Sequence, residues 1–281
     1  MVVRIVTDST ADISVAQAEA LNITIVPLTV FFGDDAYLDN IELDNAAFYK
    51  KLQESKDLPR TSQPSPAAFD EAFTRLINEG ADAILSVHLS SKLSGTYQSA
   101  CTARDALPEN LKKIPIEIVD SQSISVGMSY PVMEAARKAQ SGAGLEEIKA
   151  HLLDQLARTR ILAVLDTLEY VKRGGRIGGA KALLGNMLSF KPIISLKDGE
   201  VIPLEQPRTR NKAYVRLAQL VGEMEPIEYI AIAEASDEVG QQLAQALKAT
   251  YSGEIPIYKL GGVLGTHTGP GTAAVSVVTA S

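Results

Sequence analysis

The chain has 281 residues, enough for one large or two medium α/β domains, because domains usually run to roughly 100 to 200 residues. Its 27 Lys and Arg against 34 Asp and Glu give a net charge of −7, which argues against general adhesion to nucleic-acid backbones or anionic membrane surfaces. The single cysteine, Cys101, excludes an intrachain disulfide and a cysteine-cluster metal site, and it favours a reducing cytoplasm.

The first segment, MVVRIVTDSTAD, turns polar after six residues. A signal peptide needs a longer apolar stretch, and a transmembrane helix needs about 20 apolar residues. We therefore expect a soluble, cytoplasmic protein. The three histidines, His88, His151 and His267, lie far apart without the H-x-x-x-H spacing of a zinc site, so no metal centre is predicted.

The first half of the chain alternates apolar runs of strand length with segments of helical period, which predicts βαβ units and a mostly parallel sheet. The firmest helix lies in SPAAFDEAFTRLINEG, with Ser65 as N-cap and Pro66 at the first helical position. The predicted strands cover 3–7, 23–32, 81–87 and 114–119.

Two helical patterns then flank Gly142 and Gly144, and the composition changes after them. The second half reads as a strand with a glycine-rich basic turn, the helical AKALLGNMLSF, a hairpin at Asp198-Gly199, and further helices and strands. We predict an α/β fold of two α/β domains, residues 1–155 and 156–281.

Polar residues follow two of the predicted strands. Asp8 and Ser9 come after the first strand, and Asp120 and Ser121 after the fourth. In an open α/β sheet these positions lie near one crevice at the carboxyl ends of the strands. The alternative is that Asp and Ser bond local backbone in turns and helix starts.

The stretch SVHLSSKLSGTYQSA, residues 86–100, holds seven hydroxyls between a strand and a helix. Exposed N–H groups at a helix start favour an anion, and Ser94, Gly95 and Thr96 are best placed to receive one. N-capping by Ser91 or Ser94 is the alternative reading. Thr61 and Ser62 stand in the same way before a second helix start, so the two turns could converge on one anion.

His267 stands in GTHTGPG, residues 265–271, where little side-chain bulk surrounds it and it can donate to a carboxylate or phosphate. The alternative is a histidine bonded to a loop carbonyl. The basic turn LEYVKRGGRIGG holds Lys172, Arg173 and Arg176 without Walker spacing, which suits either partner docking, an anionic head group or a solvated turn. From the residues alone, the chain is a soluble α/β protein that binds a small anion.

Six segments in this order resemble the DegV family of bacterial fatty-acid-binding proteins: TDSTAD (7–12), TSQPSP (61–66), SSKLSGTYQSA (90–100), VDSQSISVGM (119–128), LEYVKRGGRI (168–177) and GTHTGPG (265–271). The resemblance implies two α/β domains with a long-chain, palmitate-like fatty acid between or within them. It also implies a non-catalytic carrier that presents the lipid to a separate ATP-dependent fatty acid kinase subunit, which forms the acyl phosphate used in phospholipid synthesis. Transient membrane contact is compatible with that role.

Transfer of the family's carboxylate site onto matching positions gives Thr61, Ser62, Ser94, His267 and Thr268, with Arg173 at a position associated with docking the kinase subunit. No cofactor is implied beyond the bound lipid. Leu183, Leu184, Met187, Leu188 and Phe190 could wall an acyl tunnel, although their helical spacing also suits a plain core.

Two alternatives to a carrier remain open. One is a stand-alone enzyme on an acyl or phosphorylated substrate with Ser94 as nucleophile, although Ser94 lacks the G-x-S-x-G setting. The other is a regulatory binding module whose lipid is a signal.

Overall fold

The computed structural model describes residues 1–186 and 190–280, apart from the side chains of 184–186. The elements in chain order are β1 (Val3–Asp8), a 3-10 turn (Ser9–Ala11), α1 (Val15–Leu21), β2 (Ile23–Val26), β3 (Thr29–Phe32), β4 (Asp35–Leu38), α2 (Asn45–Glu54), β5 (Arg60–Ser62), α3 (Pro66–Asn78), β6 (Ala83–His88), α4 (Thr96–Ala106), β7 (Ile116–Asp120), α5 (Val126–Gln140) and α6 (Leu145–Arg158). The remaining elements are β8 (Thr159–Val164), α7 (Glu169–Arg173), a 3-10 segment (Gly178–Asn186), β9 (Ile193–Lys197), β10 (Glu200–Glu205), α8 (Arg210–Gly222), β11 (Ile227–Glu234), α9 (Asp237–Leu247), β12 (Ile257–Lys259), α10 (Gly262–Thr268) and β13 (Ala273–Thr279).

The first sheet has the strand order β2-β1-β6-β7 and is parallel throughout. Helices cover both of its faces, because Met128 and Leu152 of α5 and α6 pack on one side and Phe69 and Phe73 of α3 on the other. A strand covered on both faces has no solvent side, which explains why β6 is buried along its whole length. The predicted parallel α/β fold is confirmed.

The second sheet has the order β10-β9-β8-β13-β11-β12, with β11 and β12 as its one parallel pair. Helices α8 and α9 cover one face through Leu217 and Leu243. The opposite face, with Ile161 and Ala274, packs against Val126 of α5 and Leu264 of α10. Helix α5 from the first half of the chain and α10 from the second therefore cover this face of the second sheet. The cavity described below lies there.

The predicted single strand over 23–32 is wrong, because the chain breaks into β2 and β3 in two different sheets. Pro27 stands at the break, where it lacks the N–H that a continuous strand would need. Strand β3 instead centres a small antiparallel sheet of order β4-β3-β5. This small sheet positions Thr61 and Ser62, which belong to β5.

Several local predictions are confirmed. Ser65 caps α3 by accepting the N–H of Ala68, and Pro66 opens the helix. The hairpin between β9 and β10 turns at Asp198 and Gly199, whose φ angles of 51° and 79° fit the left-handed turn that Asp-Gly favours.

The segment predicted to be helical over 180–190 forms 3-10 structure as far as Asn186. Met187 and Leu188 lie outside the described residues, as does the side chain of Leu184. Every strand of the second sheet follows Arg158, and the division of the chain near residue 155 stays a prediction. Across residues 1–186 and 190–280, no helix has the length and apolarity needed to cross a membrane.

Candidate functional site

A cavity of about 320 Å³ lies between the two halves of the chain, within the size range of small-molecule sites. Most of its wall is aliphatic and comes from both halves: Leu28, Leu89, Leu93, Ile124, Ile161, Ala163, Val171, Ile194, Leu196, Val201, Leu260, Val263, Leu264 and Ala274. Its polar wall holds hydroxyls, an amide, an imidazole and a guanidinium: Thr61, Ser62, Gln63, Ser94, Ser125, Arg176, Ser195, His267, Thr268 and Thr272. The cavity is thus suited to a largely apolar molecule with one polar end.

The five residues predicted to bind a carboxylate all line this cavity, and we call them the polar cluster: Thr61, Ser62, Ser94, His267 and Thr268. Two of them touch, since Thr61 Oγ1 lies 2.8 Å from His267 Nε2 although 206 residues separate them. The contact forms because α10 packs beside β5. The alternative of a histidine bonded to a loop carbonyl is not what the structure has, because His267 and Thr268 end a short helix and His267 contacts Thr61.

His267 is neutral at physiological pH, because burial and the nearby charge of Arg176 lower the pKa of its imidazole to about 4. Its Nδ1 is buried and has no hydrogen-bond partner among the described residues. We assign the proton to Nε2, since a buried N–H without an acceptor costs more than a bare lone pair. His267 then donates to Thr61, whose own hydroxyl hydrogen is free to donate to a ligand.

Ser94 stands in the loop before α4, where its hydroxyl lies 2.9 Å from Thr96 Oγ1 and accepts the Thr96 N–H at 3.3 Å. Neither Ser91 nor Ser94 is the N-cap of α4, because that position is taken by Gly95. Gln63 lies directly over Gly95, and a Cβ there would come within 2.6 Å of the Gln63 amide. The missing side chain thus brings the loop of Ser94 close to the segment that follows Ser62.

Arg176 lines the cavity, which the sequence analysis did not predict. It was grouped with Lys172 and Arg173 in a basic turn, yet of these three it alone lines the cavity. Its Nε donates to the carbonyl of Leu93 at 3.0 Å, and it also donates to the carbonyl of Gly174. Both partners are neutral, so Arg176 brings a positive charge to the polar side of the cavity. No acidic residue stands close to Arg176 in the sequence, which was a weak signal that its charge is not used in a local ion pair.

Arg173 points elsewhere. It is exposed and forms an ion pair with Glu169 one turn earlier on α7, with Nε and Oε1 2.6 Å apart. It does not line the cavity. Its position leaves the guanidinium accessible from solvent.

The carboxylates of the Asp-Ser pairs after β1 and β7 do not line the cavity, and their hydrogen bonds run partly to local backbone, as the alternative held, and partly to residues far away in the sequence. Asp8 is fully buried and accepts from the N–H of Thr10 and from His88 Nδ1, each at 3.0 Å. Asp120 accepts the N–H of Gln122 at 2.9 Å. Neither carboxylate is part of the cavity wall in the described structure.

The apolar wall differs from the one predicted at Leu183 and Phe190, the two predicted wall residues whose side chains the structure describes. Leu183 packs onto the hydrophobic cluster around Leu165 and does not line the cavity, and Phe190 does not line it either. Strands β8, β9, β10 and β13 supply Ile161, Ile194 and Val201 among others. In residues 1–186 and 190–280 there is no group of three or more His, Cys, Asp or Glu side chains able to hold a metal ion.

Comparison with known proteins identifies the family. The profile described as "DegV, Uncharacterised protein, DegV family" matches residues 2–280. The chain belongs to the DegV family. A DegV domain-containing protein of Halalkalibacterium halodurans is 38% identical over 279 residues, which cover 98% of this chain and 97% of that one.

Solved structures of DegV proteins share the fold closely. A protein from Thermus thermophilus, described by its fatty acid binding, superposes with a TM-score of 0.90 at 34% identity, over 100% of both chains. A stearic acid-binding protein from Eubacterium ventriosum superposes with a TM-score of 0.91 at 26% identity, over 98% of this chain and 97% of that one.

Proposed function

We propose that this protein binds a long-chain fatty acid, with the acyl chain against the aliphatic wall and the carboxylate on the polar cluster. The observation that carries the proposal is the cavity itself, in which an aliphatic wall adjoins Thr61, Ser62, Ser94, His267 and Thr268. Family members described as binding fatty acids support it.

The aliphatic wall would supply most of the affinity. Burial of a sixteen-carbon chain contributes roughly 0.8 kcal/mol per CH₂ before ordering costs are subtracted. Residues such as Ile161, Ile194 and Leu264 offer no hydrogen-bond partner, so this part of the wall favours hydrocarbon over any polar group of the same size.

The polar cluster would orient the ligand. A buried carboxylate must be hydrogen-bonded, and the hydroxyls of Thr61, Ser62, Ser94 and Thr268 can donate to it. Arg176 adds a positive charge on the same side. With one guanidinium and neutral hydroxyls around it, the carboxylate would be held without a fully buried ion pair, and it would stay reactive towards a phosphoryl donor.

We further propose that the bound lipid is presented to a separate kinase subunit, which phosphorylates the carboxylate. Two features support a carrier over an enzyme with a Ser94 nucleophile. The hydrogen-bond partner of the Ser94 hydroxyl in the described structure is Thr96, and no histidine contacts it. Arg173 is exposed on α7, where an acidic partner surface can reach it.

The carrier proposal is tested by native mass spectrometry of gently purified protein and by uptake of labelled palmitate after delipidation. We expect the mass spectrum to show the added mass of one fatty acid. Delipidated protein should take up about one palmitate per chain, because each chain has one such cavity among the described residues. Protein that carries no lipid and takes up no palmitate contradicts the proposal. Turnover of an acyl substrate by the protein alone, with a covalent adduct on Ser94, would favour the enzyme instead.

The head-group position is tested by Ser94→Ala. Loss of this donor should weaken palmitate binding by about 1 to 3 kcal/mol, because a buried carboxylate oxygen is left without its partner. Ser91→Ala is the matched control, since Ser91 is exposed in the same loop and does not line the cavity. Isothermal titration with both variants decides the point, and equal affinities would place the carboxylate elsewhere.

A further inference from the structure

Helix α10 carries two residues of the polar cluster, His267 and Thr268, and its N-cap residue, Gly261, is buried. The first N–H groups of a helix have no partner within the helix and must find one outside it. No neighbouring side chain caps this helix. The partners come instead from two carboxylates far away in the sequence.

Asp12 Oδ1 accepts the N–H of Gly261 at 2.9 Å, and Asp39 Oδ1 accepts the N–H of Val263 at 3.2 Å. Both aspartates are buried, with 5% and 1% of their surface exposed. A charged acceptor makes a stronger bond to an N–H than a neutral one, and negative charge at a helix start is favoured by the helix dipole. Two carboxylates thus fix the start of α10.

The second oxygen of each carboxylate ties α10 to the rest of the protein. Asp39 Oδ2 accepts the hydroxyl of Ser9 at 2.8 Å, and Ser9 Oγ in turn accepts the N–H of Leu28 at 3.2 Å. Asp12 Oδ2 accepts the hydroxyl of Ser125. Leu28 and Ser125 both line the cavity. Each carboxylate therefore links the helix that bears His267 to another part of the cavity wall.

Burial of these two carboxylates opposes folding. It raises the pKa of Asp39 to about 6 and that of Asp12 well above its ordinary value, so each carboxylate is harder to ionise in the folded chain than in water. A buried acidic pair that opposes stability is expected where it serves a site rather than the core.

We infer that Asp12 and Asp39 are positioning residues, which hold α10 so that His267 and Thr268 stand where the carboxylate of the ligand arrives. The inference rests on the proposed fatty acid function and deepens it. Neither aspartate lines the cavity, and both act through the backbone of α10. Their effect should therefore fall on recognition of the head group and not on contact with the acyl chain.

The experiment compares two ligands of equal length, palmitate and hexadecan-1-ol, on delipidated protein. The alcohol keeps the chain and lacks the carboxylate, so the ratio of the two dissociation constants isolates the head-group contribution. The variants are Asp12→Asn and Asp39→Asn, in which an amide offers one acceptor where the site presents two donors. Asp44→Asn is the control, because Asp44 caps α2 by the same kind of bond, 2.8 Å to the N–H of Ala47, at an exposed site.

We expect wild-type protein to prefer palmitate, and each of the two variants to lose at least roughly fivefold of that preference while binding the alcohol as before. Asp44→Asn should keep the preference. If one variant fails to fold, the other carries the same expectation. A preference that survives in the folded variants, or equal weakening of both ligands, overturns the inference alone, whereas a wild-type protein that binds neither ligand, or prefers neither, overturns the proposed function with it.

Discussion

At the scale of single residues, the polar cluster depends on a glycine, Gly174, that does not itself line the cavity. A Cβ on Gly174 would lie 2.1 Å from His267 Nδ1, so the imidazole occupies the space of the missing side chain. The backbone of Gly174 is in the ordinary helical region, with φ −68° and ψ −10°. Glycine is therefore required here by the packing of His267 and not by backbone conformation.

Gly174→Ala should weaken palmitate binding by about 1 to 3 kcal/mol, because the added methyl must push His267 away from Thr61. Gly144→Ala is the matched control. Gly144 also has a negative φ, of −81°, nothing lies within 4 Å of its Cβ, and it does not line the cavity. Titration of both variants with palmitate, together with thermal melting to confirm folding, should show a larger loss for Gly174→Ala; the reverse order would contradict the fit described for His267.

At the scale of elements, the β9–β10 hairpin joins the second sheet to the hydroxyl-rich loop of the first. Ser90 Oγ donates to the carbonyl of Gly199 at 2.7 Å. A Cβ on Gly199 would lie 2.4 Å from Ser90 Oγ. One of the seven hydroxyls in residues 86–100 thus anchors the turn of a distant hairpin. This contact holds the two halves of the chain together beside the cavity.

Gly199→Ala should destabilise the fold more than Gly142→Ala does. Both glycines have positive φ, 79° and 89°, so both alanines bear a conformational cost of about 1 kcal/mol. Only at Gly199 does the methyl also collide with Ser90, since nothing lies within 4 Å of a Cβ on Gly142. Urea unfolding should give Gly199→Ala an additional loss of about 1 to 3 kcal/mol, and equal losses would mean that the hairpin does not seat on Ser90.

At the scale of the whole molecule, the two halves of the chain divide the work of the proposed site. Strand β5 and the loop before α4 bring Thr61, Ser62 and Ser94 from the first half, while α10 brings His267 and Thr268 from the second. Arg173 stands outside the cavity on α7. In the proposed function, binding of the lipid and docking of a partner would therefore use different residues, and separate variants can test them.

Arg173→Glu should leave palmitate affinity unchanged and lower the rate at which an added fatty acid kinase phosphorylates the bound lipid. The reversal of charge removes an attraction to an acidic partner surface and adds a repulsion. Lys212→Glu makes the same change of charge on the exposed face of α8 and is the control. Phosphorylation should fall for Arg173→Glu alone; equal loss of binding and phosphorylation would instead point to a direct ligand role or to misfolding.

The sequence by itself determined the features that depend on neighbouring residues. Ser65 and Pro66 start α3, and Asp198-Gly199 turns the hairpin, because caps and turns are decided by contacts within a few residues. The resemblance of its motifs to the DegV family also pointed to the five residues of the polar cluster, all of which line the cavity. The sequence failed at 23–32, where hydrophobicity alone could not separate β2 from β3.

Only the tertiary structure decided how these pieces meet. The contact of Thr61 with His267 joins positions 206 residues apart, and the bond of Asp12 to Gly261 joins positions 249 apart. No local pattern encodes such pairs, because they form only when β5, α10 and the first sheet pack together and exclude water from their polar groups. For the same reason Arg176 could be recognised as part of the cavity, and Asp12 and Asp39 as supports of α10, only in the folded chain.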